Sequence, residues 1–85
     1  MPAKSFFISK KANKTAAKLP LHIHDKIVKA FNIIKQNPPS GEKLQGELND
    51  YYKFRIGDYR IVYKFNAKDS RIEIVKIEHR QGVYK

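Results

Sequence analysis

An α+β domain of order strand, helix, helix, strand, strand, strand is what this sequence predicts, and three observations carry the prediction. A helix-period apolar stripe runs from Leu21 to about Gln36, two stretches beyond Asp50 alternate polar with apolar residues, and proline or glycine stands wherever one pattern yields to the next. Strands that follow one another through short turns form a mostly antiparallel sheet, and the two N-terminal helices are expected to pack on one face of it. Residues 1–85 are read as a single domain, because nothing in the composition marks an internal boundary.

Taken in order, Ser5 to Ser9 holds two aromatics and an isoleucine, a strand-like run, and Ser9 is placed to cap a helix from Lys10 to Lys18. Leu19-Pro20 breaks that helix, since proline suits a helix start and disfavours helical backbone in the residue before it. In the second helix Ile23, Ile27, Ala30, Phe31 and Ile34 recur at spacings of three and four, opposite Lys26, Lys29 and Asn32. Asn37-Pro38-Pro39-Ser40-Gly41 ends it, and Lys43-Leu44-Gln45-Gly46 leads toward the strands.

Tyr51 to Ile56 alternates so that Tyr52, Phe54 and Ile56 share one face while Lys53 and Arg55 share the other. After a turn at Gly57-Asp58, Tyr59 to Phe65 alternates again, with Ile61, Tyr63 and Phe65 inward and Arg60, Val62 and Lys64 outward, so the two strands make a hairpin. A turn over Asn66 to Ser70 leads to Arg71 through Ile77, whose apolar positions change phase at Ile74-Val75, as in a central strand or one carrying a bulge.

Charge narrows the function. Eighteen Lys+Arg against eight Asp+Glu give +10 at pH 7, which points to a polyanionic partner: nucleic acid, ribosome or an acidic protein. The chain has no cysteine, which removes disulfide frameworks, thiolate metal sites and cysteine nucleophiles. The apolar run near Met1 is far shorter than a signal or membrane segment, so the chain reads as soluble and cytoplasmic, with no membrane partner. His22 and His24 stand two apart on a helix and face different directions, which disfavours a metal site. Walker, dinucleotide and serine-triad patterns are missing, and no cofactor is expected.

The residues Lys43-Leu44-x-Gly46, then Tyr52 through Tyr63, then His79-Arg80-x-x-Val83-Tyr84 resemble the RelE/ParE toxins, over nearly the whole chain. That resemblance, to the RelE branch in particular, implies a toxin of a type II toxin-antitoxin system. Such a toxin is an mRNA interferase: it enters the ribosomal A site and cleaves messenger RNA there, which inhibits translation. It is held inactive by a cognate antitoxin, through which the complex also reaches promoter DNA. Carried over position by position, the resemblance implies a working set of Lys53, Arg55, Arg60, Arg80 and Tyr84. The ParE branch, which inhibits DNA gyrase without catalysis, usually lacks the full set and is the alternative.

Metal-independent RNA cleavage needs a base for the 2′-hydroxyl proton, cations for the phosphorane charge and an acid for the departing 5′-oxygen. By the alternation, Lys53, Arg55 and Arg60 project from one face and converge on one phosphate, for which arginine offers paired hydrogen bonds. Arg60 and Arg80 are assigned to charge stabilisation. A lysine crowded by arginines has its charged form disfavoured, which would fit Lys53 as a base. Histidine is the side-chain type suited to proton transfer near neutral pH, His79 stands beside Arg80, and the acid and base roles stay open among His79, Lys53 and Tyr84. Glu42 is a weaker candidate for the base, and Tyr52, Phe54, Tyr63 and Phe65 have the phase of core residues.

Overall fold

The computed structural model describes residues 3–44 and 50–79. Its elements run β1 (Ser5–Ile8), α1 (Lys10–Ala17), α2 (Leu21–Gln36), a 3₁₀ turn over Pro38–Ser40, β2 (Glu42–Lys43), β3 (Tyr51–Ile56), β4 (Tyr59–Asn66) and β5 (Arg71–His79). They form one sheet in the order β1-β5-β4-β3-β2. All neighbours are antiparallel except β1, which runs parallel to β5. The expected α+β order stands, with β2 as a two-residue edge strand in the segment that the sequence marks only as leading to the sheet.

The helix boundaries follow the local chemistry. Ser9 caps α1 by accepting a 3.0 Å hydrogen bond from the Ala12 amide, and Pro20 occupies the residue before α2. From α2, Ile23, Ile27, Ala30 and Ile34 are buried; with Ala12 of α1 they pack on Ile56, Ile61, Tyr63, Ile72, Ile74 and Ile77 of the sheet. That 4-3-4 spacing keeps one stripe of the helix against the strands.

Tyr63 does more than fill volume. Its hydroxyl donates to the Pro38 carbonyl at 2.6 Å and accepts from the Gly41 amide at 3.0 Å, tying the 3₁₀ turn to the sheet. Burial pushes this phenol above its ordinary pKa, outweighing the Gly41 hydrogen bond, so it stays protonated and able to donate. The turn lies so close that a Cβ on Gly41 would meet both the Lys53 carbonyl and the Tyr63 hydroxyl at 2.7 Å. Gly57 opens the β3-β4 turn with a φ of 57°, the left-handed conformation that glycine accepts without strain.

The phase change in β5 is a bulge. Val62 pairs with Lys76 while Tyr63 pairs with Ile74, which leaves Val75 as the extra residue. The bulge sits where β1 ends: the Ser9 amide donates to the Ile74 carbonyl at 2.9 Å, and the Ser9 hydroxyl donates to the Val75 carbonyl at 2.6 Å. One side chain therefore caps α1 and satisfies the carbonyl that the bulge removes from the ladder. From there α1 takes over from β1 beside the second half of β5.

Candidate active site

Register places the charged residues on the sheet face away from the helix-packed core. Residues directly opposite in adjacent strands share a face, which gives one row of Glu42, Lys53, Val62 and Lys76 and a neighbouring row of Arg55, Arg60 and Glu78. The bulge is what adds β5 to these rows. Without the extra Val75, strict alternation from Glu73 would turn Lys76 and Glu78 toward the core; with it, both stand beside Val62 and Arg60.

These rows line a cavity of about 480 Å³, within the range of small-ligand clefts. Among the described residues its cations are Lys11, Lys53, Arg60 and Lys76, its carboxylate is Glu78, and Leu44, Tyr51, Val62 and Val75 supply apolar wall. Lys11 reaches it from the first turn of α1. Val62 points outward as expected yet is only 7% exposed; it is paired with Lys53 on one side and Lys76 on the other and lines the same cavity as Leu44.

Glu78 organises the charge. Its Oε2 accepts from Arg60 Nε at 2.7 Å and its Oε1 lies 2.6 Å from Lys76 Nζ. Partial burial alone would raise the pKa of this carboxyl, but the hydrogen bonds from Lys76 and Arg60 hold it below the ordinary value. Arg60 faces Arg55 directly across the β3-β4 ladder, a like-charge pair that costs stability, and Glu78 offsets it from the other side.

The structure brings Lys53, Arg55 and Arg60 to one face, as the alternation predicts, although Arg55 opens onto an adjoining groove with Lys53, Ser40 and Glu42. Lys53 shares the cavity with Arg60 and the adjoining groove with Arg55, and it also has an acidic neighbour: its strand partners are Glu42 and Val62, and the Glu42 carboxylate is 3.7 Å from its Nζ. Glu42 is exposed on the sheet edge. His79 lies on the other face of the sheet from Lys53, Arg55 and Arg60, since it pairs with Tyr59 on the core-side phase and meets that ring edge-on at 4.7 Å between centroids. Arg80 and Tyr84 lie outside the described residues, as does Gly46. Tyr52, Phe54, Tyr63 and Phe65 are core residues, with Tyr52 stacked on Tyr63.

Lys11, Lys76 and Glu78 are site residues that the sequence reading passed over. The signal for two of them was in reach: counting alternation onward from a bulge at Val75 puts Lys76 and Glu78 on Arg60's face.

Comparison with known proteins then settles the lineage. Residues 6–84 match the profile of the "ParE toxin of type II toxin-antitoxin system, parDE" family. The chain belongs to the RelE/ParE toxin family. Among curated RelE/ParE proteins it is similar to toxin RelE of Mycobacterium tuberculosis, 32% identical over 77 residues and covering 84% of this chain and 79% of that one. It is also similar to toxin RelG of the same organism, 29% identical over 76 residues and covering 87% of each. Among solved structures, the archaeal RelE-RelB complex from Pyrococcus horikoshii matches with a TM-score of 0.81 and 30% identity, over 94% of this chain and 97% of that one. No helix among the described residues of this RelE/ParE toxin is long and apolar enough to cross a membrane.

Proposed function

We propose that this toxin is a metal-independent endoribonuclease that cleaves messenger RNA in the ribosomal A site, thereby stopping translation in the cytoplasm. The observation that carries the reading is the convergence of Lys53, Arg60 and Lys76 around one cavity on the exposed face of the sheet, with Arg55 beside them. Four cations on a rigid sheet fit a phosphodiester whose charge grows as it reacts. The curated relatives named RelE and RelG support this branch of the family.

In the proposed reaction the 2′-oxygen of the ribose loses its proton to a base and attacks the adjacent phosphorus. A five-coordinate phosphorane forms, and the P–O bond to the 5′-oxygen breaks, leaving a 2′,3′-cyclic phosphate and a 5′-hydroxyl protonated by an acid. Arg60, with Arg80 from the C-terminal segment, stabilises the phosphorane oxygens through its guanidinium. Lys53 and Lys76 add positive charge at the same face, and Tyr84 is assigned to stacking or proton donation. The Lys53–Glu42 ion pair supports Lys53 as a cation that meets phosphate, in place of a base made by arginine crowding. The base is then drawn from Tyr84 and His79, and Lys53, held as a cation, can serve only as the acid.

The toxin is held by a cognate antitoxin, as the Pyrococcus horikoshii relative is solved in complex with RelB. A second reading, gyrase inhibition without catalysis, is favoured by one observation, the match to the ParE toxin profile. Induced expression of wild type and of the Arg60→Ala, Arg80→Ala double variant, following growth, protein synthesis and 5′ ends of a translated message, separates the two. In-frame cuts that vanish in the double variant support the nuclease. Arrest without cuts, accompanied by inhibited supercoiling in vitro, supports the gyrase reading.

A further inference from the structure

Catalytic cations are useful only if held where charge develops, and long basic side chains on a strand face are otherwise free to sample several rotamers. Arg60 and Lys76 are not in that condition. Glu78 takes one with each oxygen, at 2.7 and 2.6 Å, in a cross-strand position created by the Val75 bulge. The contact to Arg60 uses Nε, so among the described residues the terminal guanidinium nitrogens carry no hydrogen bond. Glu78 is 20% exposed and Arg60 28%, which shelters the pair from solvent more than an ordinary surface ion pair.

We propose that Glu78 is a positioning residue: it fixes Arg60 through Nε, and Lys76 beside it, so that the terminal nitrogens of Arg60 meet the scissile phosphate already oriented. This deepens the nuclease reading and rests on it. Two other roles for the carboxylate fit the geometry less well. As a general base it would be weakened by its own partners, since the Lys76 and Arg60 hydrogen bonds that engage its two oxygens hold its carboxyl below the ordinary value. As an anionic plug that phosphate must displace, it would sit against the ends of the guanidinium that bind phosphate, whereas it sits against Nε.

The roles differ in kinetics. Removing a carboxylate makes the cavity more positive, so substrate binding holds or tightens, while loss of orientation slows the chemical step. The test uses purified toxin and programmed ribosomes under single-turnover conditions, with Glu78→Ala and Glu78→Gln beside wild type. Positioning predicts that Glu78→Ala lowers the maximal rate on the order of 10- to 100-fold without raising the half-saturating ribosome concentration. Glu78→Gln, which keeps an oxygen to accept from Nε, recovers much of that rate. Equal or faster cleavage by Glu78→Ala overturns the proposal, as does a loss carried by weaker binding. An independent readout is the Arg60 Nε–H signal in ¹⁵N NMR, assigned with Arg60→Lys: it is resolved in wild type and lost in Glu78→Ala if Glu78 positions Arg60. Its persistence in Glu78→Ala overturns the proposal. If wild type cuts no message while that signal still depends on Glu78, the nuclease reading has failed and the positioning of Arg60 has not.

Discussion

The two faces of the sheet are built from the same strands and do opposite things. Toward the helices, Ile61, Tyr63, Ile72 and Ile74 are fully buried and make one apolar cluster with α2. On the other face, one residue along in β4, Arg60 stands across from Arg55 and beside Glu78, in a wall of charge around a cavity. The first face gains stability by removing apolar area from water; the second concentrates like charges that work against it. Strand alternation lets both coexist in a short chain, since neighbouring residues never compete for the same surroundings. A site made this way is rigid without being part of the core, which suits chemistry that depends on fixed charges.

Substitutions at adjacent positions give the sharpest test of that division. Ile61→Ala should cost about 2–5 kcal/mol of unfolding free energy, read as a lower urea midpoint, with the folded fraction still active. Arg60→Ala should leave the midpoint nearly in place and lower message cleavage by about 100-fold or more, the effect of deleting one preorganised donor. If Arg60→Ala instead unfolds the protein, the two faces are not separable. Gly41→Ala comes next: with its Cβ 2.7 Å from the Lys53 carbonyl and the Tyr63 hydroxyl, it should cost about 1–3 kcal/mol in overpacking. Thermal unfolding checks it, and an unchanged Tm would mean that the 3₁₀ turn can move away from the sheet.

Ser9→Ala probes the join between the faces. Loss of the α1 cap should cost about 1 kcal/mol, and the Val75 carbonyl also loses its partner. Amide exchange should therefore rise at Ala12 and along β5 near Val75 together; a rise confined to α1 would show that the bulge holds without Ser9. The smallest effect is the pH dependence of Glu78. Its carboxyl sits below the ordinary value in the folded protein, so its contribution to stability is complete above the ordinary carboxylate range and is lost as pH falls through that range and below it. Glu78→Gln should flatten the acid limb of the urea midpoint against pH, and an identical acid limb in both proteins would show that its partners do not hold it.

Legibility varied with the range of the interaction. The second helix, the hairpin, the Ser9 cap and the shared face of Lys53, Arg55 and Arg60 were all readable, because each depends on residues close in sequence or joined by a short turn. The phase change at Ile74-Val75 was readable too, but its consequence for Lys76 and Glu78 needed the partner strand, since register against Val62 and Tyr63 identifies the extra residue. His79 falls on the core-side phase opposite Tyr59, a placement that follows from cross-strand register and not from its own neighbours in sequence. Lys11 could not be foreseen at the site, because its helix meets the cavity only through the docking of α1 beside β5.

The sequence by itself determined the two helices, the four longer strands, their order and which side of β3 and β4 is apolar, since periodicity, capping and breakers act within a few residues. Only the tertiary structure decided the parallel pairing of β1 with β5, the bulge held by Ser9, and the bridge from Arg60 through Glu78 to Lys76. Those are contacts between segments tens of residues apart, and no local pattern encodes their distance or register.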